Sequence, residues 1–445
     1  MFVTGRLAAL VGAGVAPIIL LSLAAGGPGA SDASGRVAWS GVAGWLVLCV
    51  VLTAADVSAS ADPRAIRVER DLPARARLGV PVQGTITVAA TGRRRLRGFL
   101  RDGWEPTAGA DPARLRLDIP PGESRTLPMT FLPRRRGERR TAFVAVRSIG
   151  PLGLAGRQTV TSAPAAIRVL PPFTASRHLP SRLARLRELD GSTSVQVRGQ
   201  GTEFDSLREY VRGDDVRSID WRATARARTT MLRTWRPERD RHVVIVIDTG
   251  RTSAARVGEG TRLDAAMESA LLLAALADRA GDNVHLLMFD RVVRARVSGV
   301  RGARLLPALV DAMAQVEPQL IDMDWDAAFA QAGRLASHPS LVVLLTALDA
   351  PSASRALLTR VPTVTARGRV LLGAVTDVLL EQTAAKRDRS DQLWLAAAAE
   401  RSLLDARRLT QALTHLGAEA ILRGPDDLPP QIADRYLELK AAGRL

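Results

Sequence analysis

Two uncharged apolar runs near the N-terminus constrain this chain more than any other feature. Leu7 to Ala25 reads LAALVGAGVAPIILLSLAA, and Val37 to Ala55 reads VAWSGVAGWLVLCVVLTAA. Each is close to the length of about 20 residues that crosses a hydrocarbon core. Pro17 suits such a helix better than a soluble one, because neighbours in a membrane re-satisfy freed backbone groups. Trp39 and Trp45 are placed to sit towards the outer interface. Arg6 precedes the first run, the connection GGPGASDASGR is weakly charged, and Arg64, Arg67, Arg70, Arg75 and Arg77 follow the second. Basic flanks stay in the cytoplasm, so a two-pass hairpin with both ends inside is expected. The alternative is a cleaved signal peptide at the first run. Both readings leave the body of the protein on the cytoplasmic side of the inner or plasma membrane.

The chain has 445 residues, enough for two or three domains, and 47% apolar residues, enough to fill their cores. Its single cysteine, Cys49, excludes a disulfide framework, and the five histidines are scattered. The formal charge of +17 is carried almost wholly by arginine, Lys386 and Lys440 being the only lysines. A field of that sign favours anionic partners, with membrane lipid and nucleic acid the two obvious classes.

From Ile66 to Leu170 short alternating segments separated by Pro/Gly turns predict a β-sandwich over residues 59–172. Two basic clusters, RRRLR (Arg93 to Arg97) and RRRGERR (Arg134 to Arg140), are expected on its turns, either against anionic lipid or simply solvated. Residues 173–240 read as a linker holding the densest motif, SLREYVRGDDVRSIDWRATAR, Ser206 to Arg226. Gly213 is placed to end a short helix bearing Arg208 and Arg212, and Asp214 or Asp215 to cap the next, bearing Arg222 and Arg226. Like charges four apart repel, so Glu209, Asp214, Asp215 and Asp220, or a partner, must balance them. With Arg217, and with Tyr210 and Trp221 as apolar anchors, these residues form either a structural brace or a docking surface.

After Arg241, strands alternate with helices: HVVIVID, NVHLLMFD, SLVVLLTALD, RVLLGAVTD and AEAILRG. The pattern predicts a Rossmann-like α/β domain over 241–445 with a mostly parallel sheet. Ligands of such sheets gather at the strands' carboxyl ends, where Asp248, Asp290, Asp349 and Asp377 stand. Hard oxygen ligands there could hold Mg²⁺.

LREYVRGDDVRSIDWRATAR followed by MLRTWRPERDRHVVIVIDTG resembles the signature of the bacterial domain of unknown function 58 family. IGPLGLAG (Ile149 to Gly156) and IRVLPP (Ile167 to Pro172) resemble the end of that family's sandwich. The resemblance implies a von Willebrand factor A-like C-terminal domain behind two membrane helices. It also implies a MoxR-type AAA+ ATPase as partner, in the assembly or activation of other complexes. A metal-binding A domain carries D-x-S-x-S, a loop threonine and a later aspartate. Here Asp248 keeps the first position, Gly250 replaces the first serine and Thr252 the second. The loop threonine is missing from EPQLIDMDWD, Thr346 ends the later strand, and Asp349 comes late. The implied metal site, Asp248, Thr252, Thr346 and Asp349, is degenerate.

Three functions compete. No nucleophile elbow, phosphate-cradling glycine loop or H-E-x-x-H helix supports a metal-dependent hydrolase using strand-end aspartates. No recognisable module supports a nucleic-acid binder, and only two tyrosines are available for stacking. A membrane-anchored, non-enzymatic scaffold or adaptor is the expectation that remains, with no catalytic residues and no certain cofactor.

Overall fold

A computed structural model describes residues 1–25, 32–193, 203–212, 214–236, 241–258, 260–348, 351–386 and 389–445. The chain divides into two compact units, Met1–Leu170 and Pro171–Leu445.

The first unit opens with two apolar helices, Gly5–Ala25 and Asp32–Ala59. They run antiparallel: the Trp45 indole N–H donates to the Leu10 carbonyl at 3.3 Å, and Gly41 meets Ile18. Gly14 has no side chain because the Trp45 ring fills the space; a Cβ there would lie 2.0 Å from it. Beyond the helices, the strands Ile66–Asp71, Val82–Ala90, Ser124–Phe131 and Ala110–Asp111 form one four-stranded sheet. A six-stranded sheet is built around the long strands Gly137–Ile149 and Ala155–Leu170. Alternate residues of both sheets share one core, with Ile86, Val88, Met129 and Phe131 from the first and Leu100, Val144, Val146 and Ile167 from the second. The ion pair Arg70–Asp102, 2.8 Å and almost wholly buried, closes its edge together with the Trp104 indole and the Thr141 hydroxyl.

One turn joins the helices to this β-structure. Asp56, buried near the end of the second helix, accepts backbone N–H bonds from Leu152, Leu154 and Ala155 at 2.7, 2.8 and 3.0 Å. Thr4, just before the first helix, donates its hydroxyl to the Gly153 carbonyl at 2.6 Å. Both helices therefore meet the same segment, the IGPLGLAG turn, from their outer ends. Of the two basic clusters, Arg94 reaches the Ser58 carbonyl at the end of the second helix, and Arg95 pairs with Asp118 at 2.6 Å. Arg136 is buried and Arg139 pairs with Glu105 at 2.9 Å, so the second cluster is not simply solvated.

The second unit holds a six-stranded sheet in the order Val293–Val297, Asn283–Phe289, His242–Asp248, Leu341–Leu345, Arg369–Val375, Glu419–Arg423. The helix Arg262–Arg279 is buried along most of its length and starts with a capping box between Thr261 and Asp264. The helix Leu428–Ala441 packs against it, and Tyr436 donates to Asp282 at 2.5 Å.

The expected architecture is corrected in two respects. Among the described residues, one helix, Trp39–Ala59, is long and apolar enough to cross a membrane, and Gly5–Leu21 is a shorter apolar stretch. Across the chain the sheets are antiparallel and mixed, so the von Willebrand factor A-like, Rossmann-like description does not stand for this fold, although four of the five strand pairings in the C-terminal sheet are parallel. Even the C-terminal sheet is mixed, because Val293–Val297 runs antiparallel to Asn283–Phe289. Three residues connect those strands, and a connection that short permits only a hairpin.

Candidate functional site

The sequence motif folds as a small module. Glu203–Glu209 is a strand paired antiparallel with Met231–Arg236, with Arg208 opposite Leu232 and Glu209 opposite Met231. A helix carrying Arg208 was expected here; the pairing partner lies more than twenty residues on, beyond the reach of local periodicity. Gly213 lies outside the described residues. Asp214 accepts from the Val211 amide at 3.0 Å and from the Arg208 guanidinium at 2.6 Å. Asp215 caps the turn Val216–Ser218 through the Arg217 amide at 3.0 Å.

Asp220 is the hub. One carboxylate oxygen accepts from the Arg222 and Ala223 amides at 3.0 Å, capping the helix Trp221–Ala227. The other accepts from Arg233 at 2.5 Å, and these bonds together hold the Asp220 carboxyl below its ordinary range. The helix ends at Arg228, which takes the left-handed conformation (φ 59°). Tyr210 joins the hairpin through its backbone N–H to the Thr230 carbonyl at 2.8 Å. Trp221, expected as an apolar anchor, is instead 71% exposed, as are Val211 at 62% and Val216 at 61%. Glu209, Arg217 and Arg226 are exposed as well.

The strand-end cluster is separate and buried. The Asp248 carboxylate accepts from the Thr346 hydroxyl at 2.6 Å, the Gly250 amide at 2.7 Å and the Thr252 hydroxyl at 3.4 Å. Burial raises the Asp248 carboxyl above its ordinary value, against those three bonds. Gly250 has a physical reason: a Cβ there would lie 2.8 Å from the Ile321 carbonyl oxygen and 2.9 Å from Asp248 Oδ1. A serine at that position would force the loop apart. Asp290 is fully buried, which opposes its charge. Arg294 at 2.6 Å and the Arg291 and Val292 amides outweigh burial and lower its pKa.

The remaining aspartates do not converge on Asp248. Asp324 and Asp377 cap helices, Asp322 pairs with Arg251 and Asp326 with Arg360. Asp349 lies outside the described residues. Among the described residues no three His, Cys, Asp or Glu side chains come together as metal ligands. Among the described residues, what converges is one carboxylate with two hydroxyls that donate to it. A cavity of about 240 Å³, lined by Val244, Phe329, Val342, Val364, Arg360 and Arg367 among others, involves neither centre.

Sequence reasoning missed a stacked pair, His242 and His285, whose ring nitrogens lie 2.9 Å apart. The histidines stand 43 residues apart, and only the parallel register of their strands brings them near each other.

Residues 206–376 match the family model described as protein of unknown function DUF58. The chain carries a DUF58 region. The match begins at the motif hairpin and ends just past Val375, so both centres lie within the DUF58 region. No curated protein matches the chain. Among solved structures, the CARDB domain of a Pyrococcus furiosus protein is 10% identical over 24% of this chain and 94% of its own, with a TM-score of 0.17. A β-glucosidase from Listeria innocua is 12% identical over 24% of this chain and 16% of its own, also at 0.17. Likenesses at these scores carry no weight for fold or activity.

Proposed function

We propose that this protein is a membrane-anchored, non-enzymatic adaptor working with a MoxR-type AAA+ ATPase to assemble or activate a protein complex. One observation carries the reading: the motif aspartates and the strand-end Asp248 are already engaged. Asp214, Asp215 and Asp220 serve as caps and ion-pair partners, and Asp248 is held by two threonines and an amide. A general base or metal ligand needs an oxygen free to face a substrate. What remains open is recognition surface.

The helix Trp39–Ala59 supports the anchor. Its antiparallel packing with Gly5–Ala25, and the grip of both outer ends on the turn at 150–156, support a two-pass arrangement in the inner or plasma membrane. The basic residues from Arg64 onward support a cytoplasmic body. The partner assignment rests on the family resemblance.

Purification from native membranes after crosslinking, followed by mass spectrometry and phosphoesterase assays of the purified protein, tests the proposal. The AAA+ ATPase should be enriched and hydrolysis absent. Phosphoester turnover abolished by Asp248→Asn, with no ATPase recovered, would replace the adaptor with an enzyme.

A further inference from the structure

The motif module carries an imbalance that its own residues do not resolve. Between Leu207 and Arg233, Leu232 is the one buried side chain among those described. A two-stranded hairpin of this size is marginal in water without a face to pack on. Yet Val211, Val216 and Trp221 are turned outward. Charge is unbalanced in the same place. Arg208 is matched by Asp214 and Arg233 by Asp220, and Asp215 is used as a cap. That leaves Arg212, Arg217, Arg222, Arg226 and Arg228 exposed and in none of the ion pairs among the described residues. Arg222 and Arg226 stand one turn apart on the short helix, so they present one doubly charged face beside Trp221.

We propose that this module, through Trp221, Val216, Arg222 and Arg226, docks onto an acidic protein surface that offers a pocket for the indole. Arginine and tryptophan are the side chains that dominate protein interfaces, the ring filling a pocket while guanidinium groups pair with carboxylates. Nucleic acid fits less well, since the two exposed valines have no counterpart in a phosphate backbone. An anionic membrane would take the same charges, but a helix of seven residues offers little apolar face to lie in an interface. The proposal rests on the adaptor reading and adds the site and the chemistry of its partner.

The test uses the full chain in nanodiscs of neutral lipid. Each of four probes is titrated in turn: the AAA+ ATPase, a glutamate-rich peptide containing leucine, phosphatidylglycerol vesicles and single-stranded DNA. Wild type is compared with Trp221→Ala, the double variant Arg222→Glu/Arg226→Glu, and Arg222→Lys/Arg226→Lys. These side chains are exposed, so thermal unfolding should stay unchanged and serves as the folding control. The charge reversal should weaken binding of the ATPase and of the acidic peptide at least tenfold. Trp221→Ala should weaken it several-fold, and the lysine variant should retain most of it. If the ATPase binds wild type and all variants alike, the adaptor reading stands and this site is wrong. If the ATPase binds none while the acidic peptide still depends on Trp221 and the arginines, the site stands and the named partner falls. Dependence seen only with vesicles or only with DNA would overturn the proposal.

Discussion

Asp248 shows how little of a buried carboxylate's role can be read from its position alone. Its raised pKa means that burial at the strand end costs more than Thr346, Thr252 and Gly250 return. Asp248→Asn should therefore leave the melting temperature unchanged or raise it at pH 7, since both threonine hydroxyls can reverse and accept from the new amide. Thermal unfolding would check this, and a loss of several degrees would mean that the charge itself is needed. Thr346→Val should destabilise, because it removes a donor from a buried carboxylate, at a cost of about 1–3 kcal/mol. His285 gives a pH signature. Burial first, then His242 and Arg301, lower its pKa from the ordinary 6.5, while Ser298 Oγ lies 3.0 Å from its other ring nitrogen. The unfolded chain then takes up the proton before the folded one. Stability should hold above about pH 6.5 and fall as the pH drops from there through the lowered folded value. Melting curves between pH 7.5 and 5 should show this slope, and His285→Gln should flatten it; an equal slope in the variant would assign the titration elsewhere.

Among the elements, the IGPLGLAG turn depends most on one distant side chain. Asp56→Ala would orphan the amides of Leu152, Leu154 and Ala155, and unsatisfied buried groups cost about 1–3 kcal/mol each. Limited proteolysis should find that turn newly accessible in the variant; an unchanged digestion pattern would show that the carboxylate is dispensable. At the motif, Asp220→Ala should lower the melting temperature and Asp220→Asn less so, because asparagine still caps the helix while losing the pair with Arg233. How legible these elements were follows from the range of their interactions. HVVIVID could be read directly, since a strand covered on both faces is apolar throughout. The alternation of Val82–Ala90 was equally plain, with every second residue from Gly84 onward in the core. SLREYVR could not be read, because arginines four apart imitate a helix while the strand's true partner is Met231–Arg236. Asp56 ends an apolar run and gives no local hint that it serves a turn nearly a hundred residues on. Gly250 looked like the loss of a metal ligand, whereas the structure makes it a steric requirement of the loop at Ile321.

For the whole molecule, the basic flank after Trp39–Ala59 would put the C-terminus in the cytoplasm on the proposed topology. A C-terminal fusion to a cytoplasm-active reporter should be active, and an active alkaline phosphatase fusion at the same point would reverse the topology. The arginine surplus further implies that association weakens with salt, since exposed charges are screened over about 10 Å at 0.1 M. The adaptor claim itself is tested most directly by calorimetric titration of the full chain in nanodiscs with the AAA+ ATPase, in ADP, in a non-hydrolysable ATP analogue, and with EDTA. Binding whose affinity changes with the nucleotide and not with EDTA removal of free metal from the nucleotide-free mixture is the predicted result. Absence of binding in every nucleotide state would contradict it.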